Sequence, residues 1–136
     1  MGFWRIKDYC PNPPDNPIQN WYDDQVEEVT IAFDWGMRAV AQTEDWKKSE
    51  LRPLVVPLQG EFAGLYEVPV SVEVPYNKKE TLLLRPIGVW QPDSSDFVIL
   101  QVSVRRGDSY DPPLSDALEL KARWEAREGK TYDREV

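Results

Sequence analysis

A chain of 136 residues is long enough for one domain with a real but modest core. It contains no histidine, which excludes imidazole general bases, His-based triads and HExxH zinc sites, and its one cysteine excludes an internal disulfide and a thiolate-rich metal site. With 24 acidic against 16 basic residues the net charge is -8, so bulk attraction to nucleic acid is excluded and any phosphate contact must come from a local patch.

Residues 1–15 place Pro11, Pro13 and Pro14 beside Asp8, Asn12 and Asp15, which reads as an irregular lead-in. Trp4, Arg5, Lys7 and Asp8 interrupt the apolar stretch a signal peptide needs, and no run is long enough to span a membrane. A cytoplasmic protein without membrane contact is expected. Asn16 before Pro17 predicts a helix start, with the asparagine capping and the proline in the first turn, where its missing N–H is not needed. Ile18, Trp21 and Tyr22 follow at helical spacing. Val26, Val29, Phe33, Met37 and Val40 recur at threes and fours and predict a second helix; Gly36 would let it lie close to a sheet.

From Leu65 the period changes to two. Tyr66, Val68, Val70, Val72 and Val74 predict a half-buried strand at about 65–74, in which Pro69 marks an edge or bulge. Polar turns then separate strands at about 81–90 and 96–105, which favours an antiparallel meander. Pro112 and Pro113 stop the chain, and Leu114, Ala117, Leu118, Lys121 and Trp124 predict a last helix that Gly129 ends. Residues 130–136 form a polar tail expected to fray. The expected architecture is α+β: a domain over residues 16–129 with an N-terminal helical hairpin packed on a small antiparallel sheet, and a C-terminal helix.

Four segments resemble the RelE/ParE superfamily of bacterial toxins, in particular its RelE/HigB-like branch. They are Asn16-Pro17-Ile18-Gln19-Asn20-Trp21-Tyr22, Leu54-Val55-Val56-Pro57-Leu58-Gln59-Gly60 with Gly64-Leu65-Tyr66-Glu67-Val68, Arg85-Pro86-Ile87-Gly88-Val89-Trp90, and Arg105-Arg106-Gly107-Asp108-Ser109-Tyr110-Asp111-Pro112-Pro113. Their order, over roughly residues 16–124, carries the likeness. The resemblance implies a RelE-like fold and a type II toxin neutralised by a cognate antitoxin. The implied activity is cleavage of mRNA on the ribosome without a metal or cofactor. In the ParE branch the implied target is DNA gyrase, so a non-enzymatic inhibitor or a catalytically silent protein-binding module stays open as the alternative.

RNA cleavage of this kind needs a base for the 2′-hydroxyl, cations for the phosphorane and an acid for the leaving 5′-oxygen. The resemblance places Arg85 on the phosphate and Tyr110 where it stacks on a base or moves a proton. Arg106, or Arg105 on the other side of the strand, adds charge, although twin arginines at a strand end are commonly just solvated. Where RNase members keep lysines flanking a strand residue, this chain has Glu67 and Pro69; a carboxylate can serve as base but repels phosphate. Lys78 and Lys79 offer charge from the next turn, and Trp90 at a strand end offers a stacking surface for substrate.

Overall fold

The computed structural model describes residues 3–44, 54–73, 81–106 and 109–136. The chain enters on a strand, β1 (Arg5–Cys10), and continues through helices α1 (Pro17–Asp23) and α2 (Glu27–Gln42). Two short strands follow, β2 (Val56–Pro57) and β3 (Tyr66–Glu67), with a 3-10 turn at Gly60–Phe62 between them. Next come β4 (Val70–Glu73), the long pair β5 (Thr81–Gln91) and β6 (Asp96–Arg106), and then β7 (Ser109–Asp111). Helix α3 (Leu114–Glu125) and strand β8 (Lys130–Arg134) complete it.

The helix signals act as their chemistry requires. Asn16 Oδ1 accepts from the Gln19 N–H at 3.0 Å, and Pro17 opens α1. Val29, Phe33, Met37 and Val40 form the buried stripe of α2, while Val26 stands exposed at its cap. A Cβ on Gly36 would meet Val70 Cγ2 at 2.8 Å, so the glycine is what lets α2 lie this close to β4.

The expected helical hairpin on a small antiparallel sheet is overturned. Among the described residues the fold is a mixed α/β arrangement of eight strands, ordered β2-β3-β5-β6-β1-β8, with β4 on β5 and β7 on β6. The strands expected at about 65–74, 81–90 and 96–105 pair antiparallel, the first split into β3 and β4, while β7 forms where a turn was expected and β1 lies parallel to β6, Ile6 facing Phe97 and Asp8 facing Ile99. The lead-in expected to be irregular from its prolines is a strand up to Cys10, with Pro11, Pro13 and Pro14 lying just after it, and Asp8 within that strand is buried. The residues expected to fray form β8, antiparallel to β1 from Ile6–Arg134 to Cys10–Lys130.

The sheet is covered on both faces. Residues Ile18, Val29, Phe33, Met37 and Val40 of α1 and α2 pack with Ile6, Val70, Leu84, Phe97 and Ile99 on one face. On the other, Ala117 of α3 packs with Tyr9, Leu65, Ile87, Val89, Val98 and Leu100. A parallel pair needs a crossover connection, which α1, α2 and the strands after them supply.

Helix α1 is fastened through an ion pair linking both ends of the chain. Arg134 reaches Asp8 with two hydrogen bonds of 2.8 Å, from Nε to Oδ1 and from a terminal nitrogen to Oδ2, and also donates to Gln19 Oε1 at 2.8 Å. Asn16 Nδ2 donates to Asp8 Oδ2 at 3.1 Å, and the guanidinium lies 5.2 Å from the Tyr22 ring centroid and 5.6 Å from that of Phe33. Both charged side chains are buried, 7% and 4% exposed.

Candidate functional site

A β-bulge decides where the polar residues of β6 point. Gly88 faces Ile99 and Ile87 faces Gln101, leaving Leu100 as the extra residue on β6. Before it, Val98 and Leu100 face α3; after it, Val102 faces α1 and α2, so Gln101, Ser103 and Arg105 turn to the α3 side. Gly88 is the tight point, since a Cβ there would collide with the Val98 carbonyl oxygen and the Phe97 ring. On β5, Arg85 shares that face with Ile87 and Val89. Glu67 stands opposite Ile87, and Tyr110 opposite Arg105.

Three sequence-predicted residues therefore meet. Arg85 lies 3.6 Å from Glu67 Oε1, and the Tyr110 hydroxyl donates to Glu67 Oε2 at 3.1 Å. The arginine and glutamate side chains are 13% and 9% exposed. At 3.6 Å the pair is looser than a charge-assisted hydrogen bond, and the buried Arg85 Nε has no partner among the described residues. Asp8–Arg134, with its two 2.8 Å bonds, is what a saturated ion pair looks like in the same molecule. Burial, followed by the Glu67 charge and hydrogen bond, raises the Tyr110 pKa, with Arg85 and Arg105 pulling the other way. The phenol is thus a proton donor at neutral pH.

Next to this cluster the segment before α3 is strapped to the sheet. Ser103 Oγ donates to the Pro112 carbonyl at 2.8 Å, and Gln101 Nε2 donates to Ser103 Oγ at 2.9 Å and to the Pro113 carbonyl at 3.1 Å. This fixes the amide orientation, because an oxygen in that position would face carbonyl oxygens. Gln101 Oε1 is buried without a partner among the described residues, so Arg85 and Gln101 bring one unspent donor and one unspent acceptor to the same face. The proline pair gave the turn away in the sequence; the role of Gln101 and Ser103 depends on the bulge, which has no local signal.

The other expected residues lie elsewhere. Arg105 is half-buried beside Tyr110 across the β6–β7 pair, and Arg106 is paired with Ser109 through the backbone, its side chain being outside the described residues. Lys78 and Lys79 also fall outside the described residues. Trp90 is half-buried on the opposite face, its ring 5.3 Å from that of Trp4 and 6.0 Å from that of Tyr66, so it is a packing residue away from the cluster. A separate cleft of about 250 Å³ near the end of α3, lined by Tyr9, Trp124, Arg127 and Lys130 among others, includes none of the predicted residues. No helix among the described residues is long and apolar enough to cross a membrane.

No family model, no curated protein and no solved structure matches this chain.

Proposed function

We propose that the chain is a metal-independent endoribonuclease, the toxin of a type II toxin–antitoxin pair of RelE/ParE kind, acting in the cytoplasm on ribosome-bound mRNA and held in check by a cognate antitoxin. The observation that supports this most is the convergence of Glu67, Arg85 and Tyr110 from β3, β5 and β7, with an arginine donor left unspent among them. In this reading Glu67 takes the 2′-hydroxyl proton as the 2′-oxygen attacks phosphorus. Arg85, with Arg105 beside it, holds the charge that grows on the phosphorane oxygens. Tyr110 gives its proton to the leaving 5′-oxygen as the P–O5′ bond breaks, which yields a 2′,3′-cyclic phosphate and a 5′-hydroxyl. The Tyr110–Glu67 hydrogen bond then returns the proton from the carboxyl to the phenol.

The test is cleavage of ribosome-bound and naked RNA by the wild type and by Glu67→Gln, Arg85→Ala and Tyr110→Phe, with the product ends identified. Arg85→Ala is expected to lose at least about a hundredfold in rate, the scale of one charge-stabilising donor. Wild-type activity equal to that of Arg85→Ala would reject the role of Arg85.

A second reading, a non-enzymatic protein-binding module such as a gyrase inhibitor, is favoured by the mutual neutralisation and near burial of Glu67 and Arg85, which a purely structural pair also has. Absence of cleavage by the wild type on both RNAs would select it.

A further inference from the structure

Helix α2 carries a line of exposed residues spaced at threes and fours: Glu28, Ile31, Trp35, Arg38 and Gln42. Phe33 and Met37 face the core, so this line is the outer surface of the helix. Trp35 is 66% exposed and Ile31, one turn earlier, 48%. An aromatic side chain this open beside an aliphatic one is the kind of anchor on which interfaces centre. Arg38 lies 5.8 Å from the Trp35 ring centroid, which puts a cation at one rim of the patch, while Glu28 puts an anion at the other.

The order acid, isoleucine, tryptophan, arginine is complementary to its own reverse. If two α2 helices run antiparallel about a two-fold axis over residue 33, Ile31 falls opposite Trp35 of the second copy, and Glu28 falls opposite Arg38 of the second copy. Symmetry repeats each pairing, giving two apolar contacts flanked by two ion pairs from one short helix face. Each copy has a net charge of -8, so two copies repel at long range and the match on α2 acts at short range. The complementarity is local to α2.

We propose that this face of α2 is an isologous docking surface whose occupant is a second copy of the chain. It goes beyond the proposed reaction and is independent of it, because the α2 line lies on the outside of the helices that cover the face opposite Glu67, Arg85 and Tyr110. The patch is small, so the dimer is weak and concentration-dependent.

The experiment is sedimentation equilibrium of the full chain between about 1 µM and about 500 µM, the span in which small interfaces become populated. The mass is expected to rise from the 15.8 kDa monomer toward twice that value. Trp35→Ala should raise the dissociation constant at least about tenfold. Glu28→Arg and Arg38→Glu should each weaken the dimer alone, and the chain carrying both should recover it, since the reversed charges pair again. Circular dichroism checks that these surface variants stay folded. A monomer at every concentration overturns the proposal, as does a dimer indifferent to Trp35→Ala or a double reversal that does no better than the single changes.

Discussion

Replacing Arg134 with methionine keeps most of the side-chain length and removes the charge, leaving Asp8 buried with Asn16 Nδ2 at 3.1 Å as its remaining side-chain donor among the described residues. The two 2.8 Å bonds to Asp8 and the bond to Gln19 Oε1 are lost together, as is the cation resting against Tyr22 and Phe33. Stranding one partner of a buried pair costs about 3–5 kcal/mol, mostly because the other charge stays desolvated. At a urea slope of about 2 kcal/mol/M this moves the unfolding midpoint down by roughly 2 M. The internal control is Arg5→Met: Arg5 also bonds an aspartate at 2.8 Å, Asp96, but the arginine is 60% exposed, and the buried Asp96 keeps Lys7 Nζ at 3.8 Å when Arg5 is replaced. That pair should be worth about 1 kcal/mol or less. Changing Asp8 to asparagine in the Arg134→Met chain should recover part of the loss, because no unpaired charge remains. Equal costs for Arg5→Met and Arg134→Met, or a cost below about 1 kcal/mol for the latter, would refute the reasoning.

Gly36→Leu should destabilise by about 1–3 kcal/mol in the same urea assay, because the new side chain starts against Val70 and must push α2 off β4; unchanged stability would show that the helix has room. Burial, with Asp8 and Asp15 adding negative charge, raises the Cys10 pKa from 9.0 to about 11, so at neutral pH the native thiol carries about a hundredfold less thiolate and should resist a thiol reagent until the chain unfolds. The fold favours the protonated thiol, so this contribution is intact below pH 9, where the unfolded thiol is also protonated, and is lost as pH climbs from 9 toward about 11. The wild type should lose stability more steeply than Cys10→Ala across that window, which urea titrations at stepped pH will measure.

What the sequence revealed was local. The Asn16-Pro17 start, the α2 stripe and the β5–β6 pair each depend on residues within a few turns of one another, where period and cap chemistry act directly. Strands β1 and β8 depend on distance instead: Ile6 pairs with Phe97 and with Arg134, and the inward charge on Asp8 is tolerated only because Arg134 waits at the other end. Neither segment has apolar alternation to announce it. The meeting of Glu67, Arg85 and Tyr110 had only the family likeness behind it, since it needs three strands in register and the bulge that turns Arg105 to their side. Trp90 went the other way: a strand-end tryptophan looks exposed in isolation and is half-buried, tilted against Trp4 and edge-on to Tyr66.

The position of β1 between β6 and β8 sets an order of events in the cell. This strand leaves the ribosome before both of its neighbours, with Ile6, Asp8 and Cys10 all destined for burial, since one neighbour is encoded about 90 residues downstream and the other further still. Until they arrive, α1 and α2 have no complete floor to pack on. Throughout translation the nascent chain therefore presents an unsatisfied strand edge and the apolar undersides of two helices, surfaces suited to holdase chaperones and to mispairing with neighbouring nascent chains. Slowing elongation should not help such a protein, because no partial chain short of β8 offers β1 both of its partners.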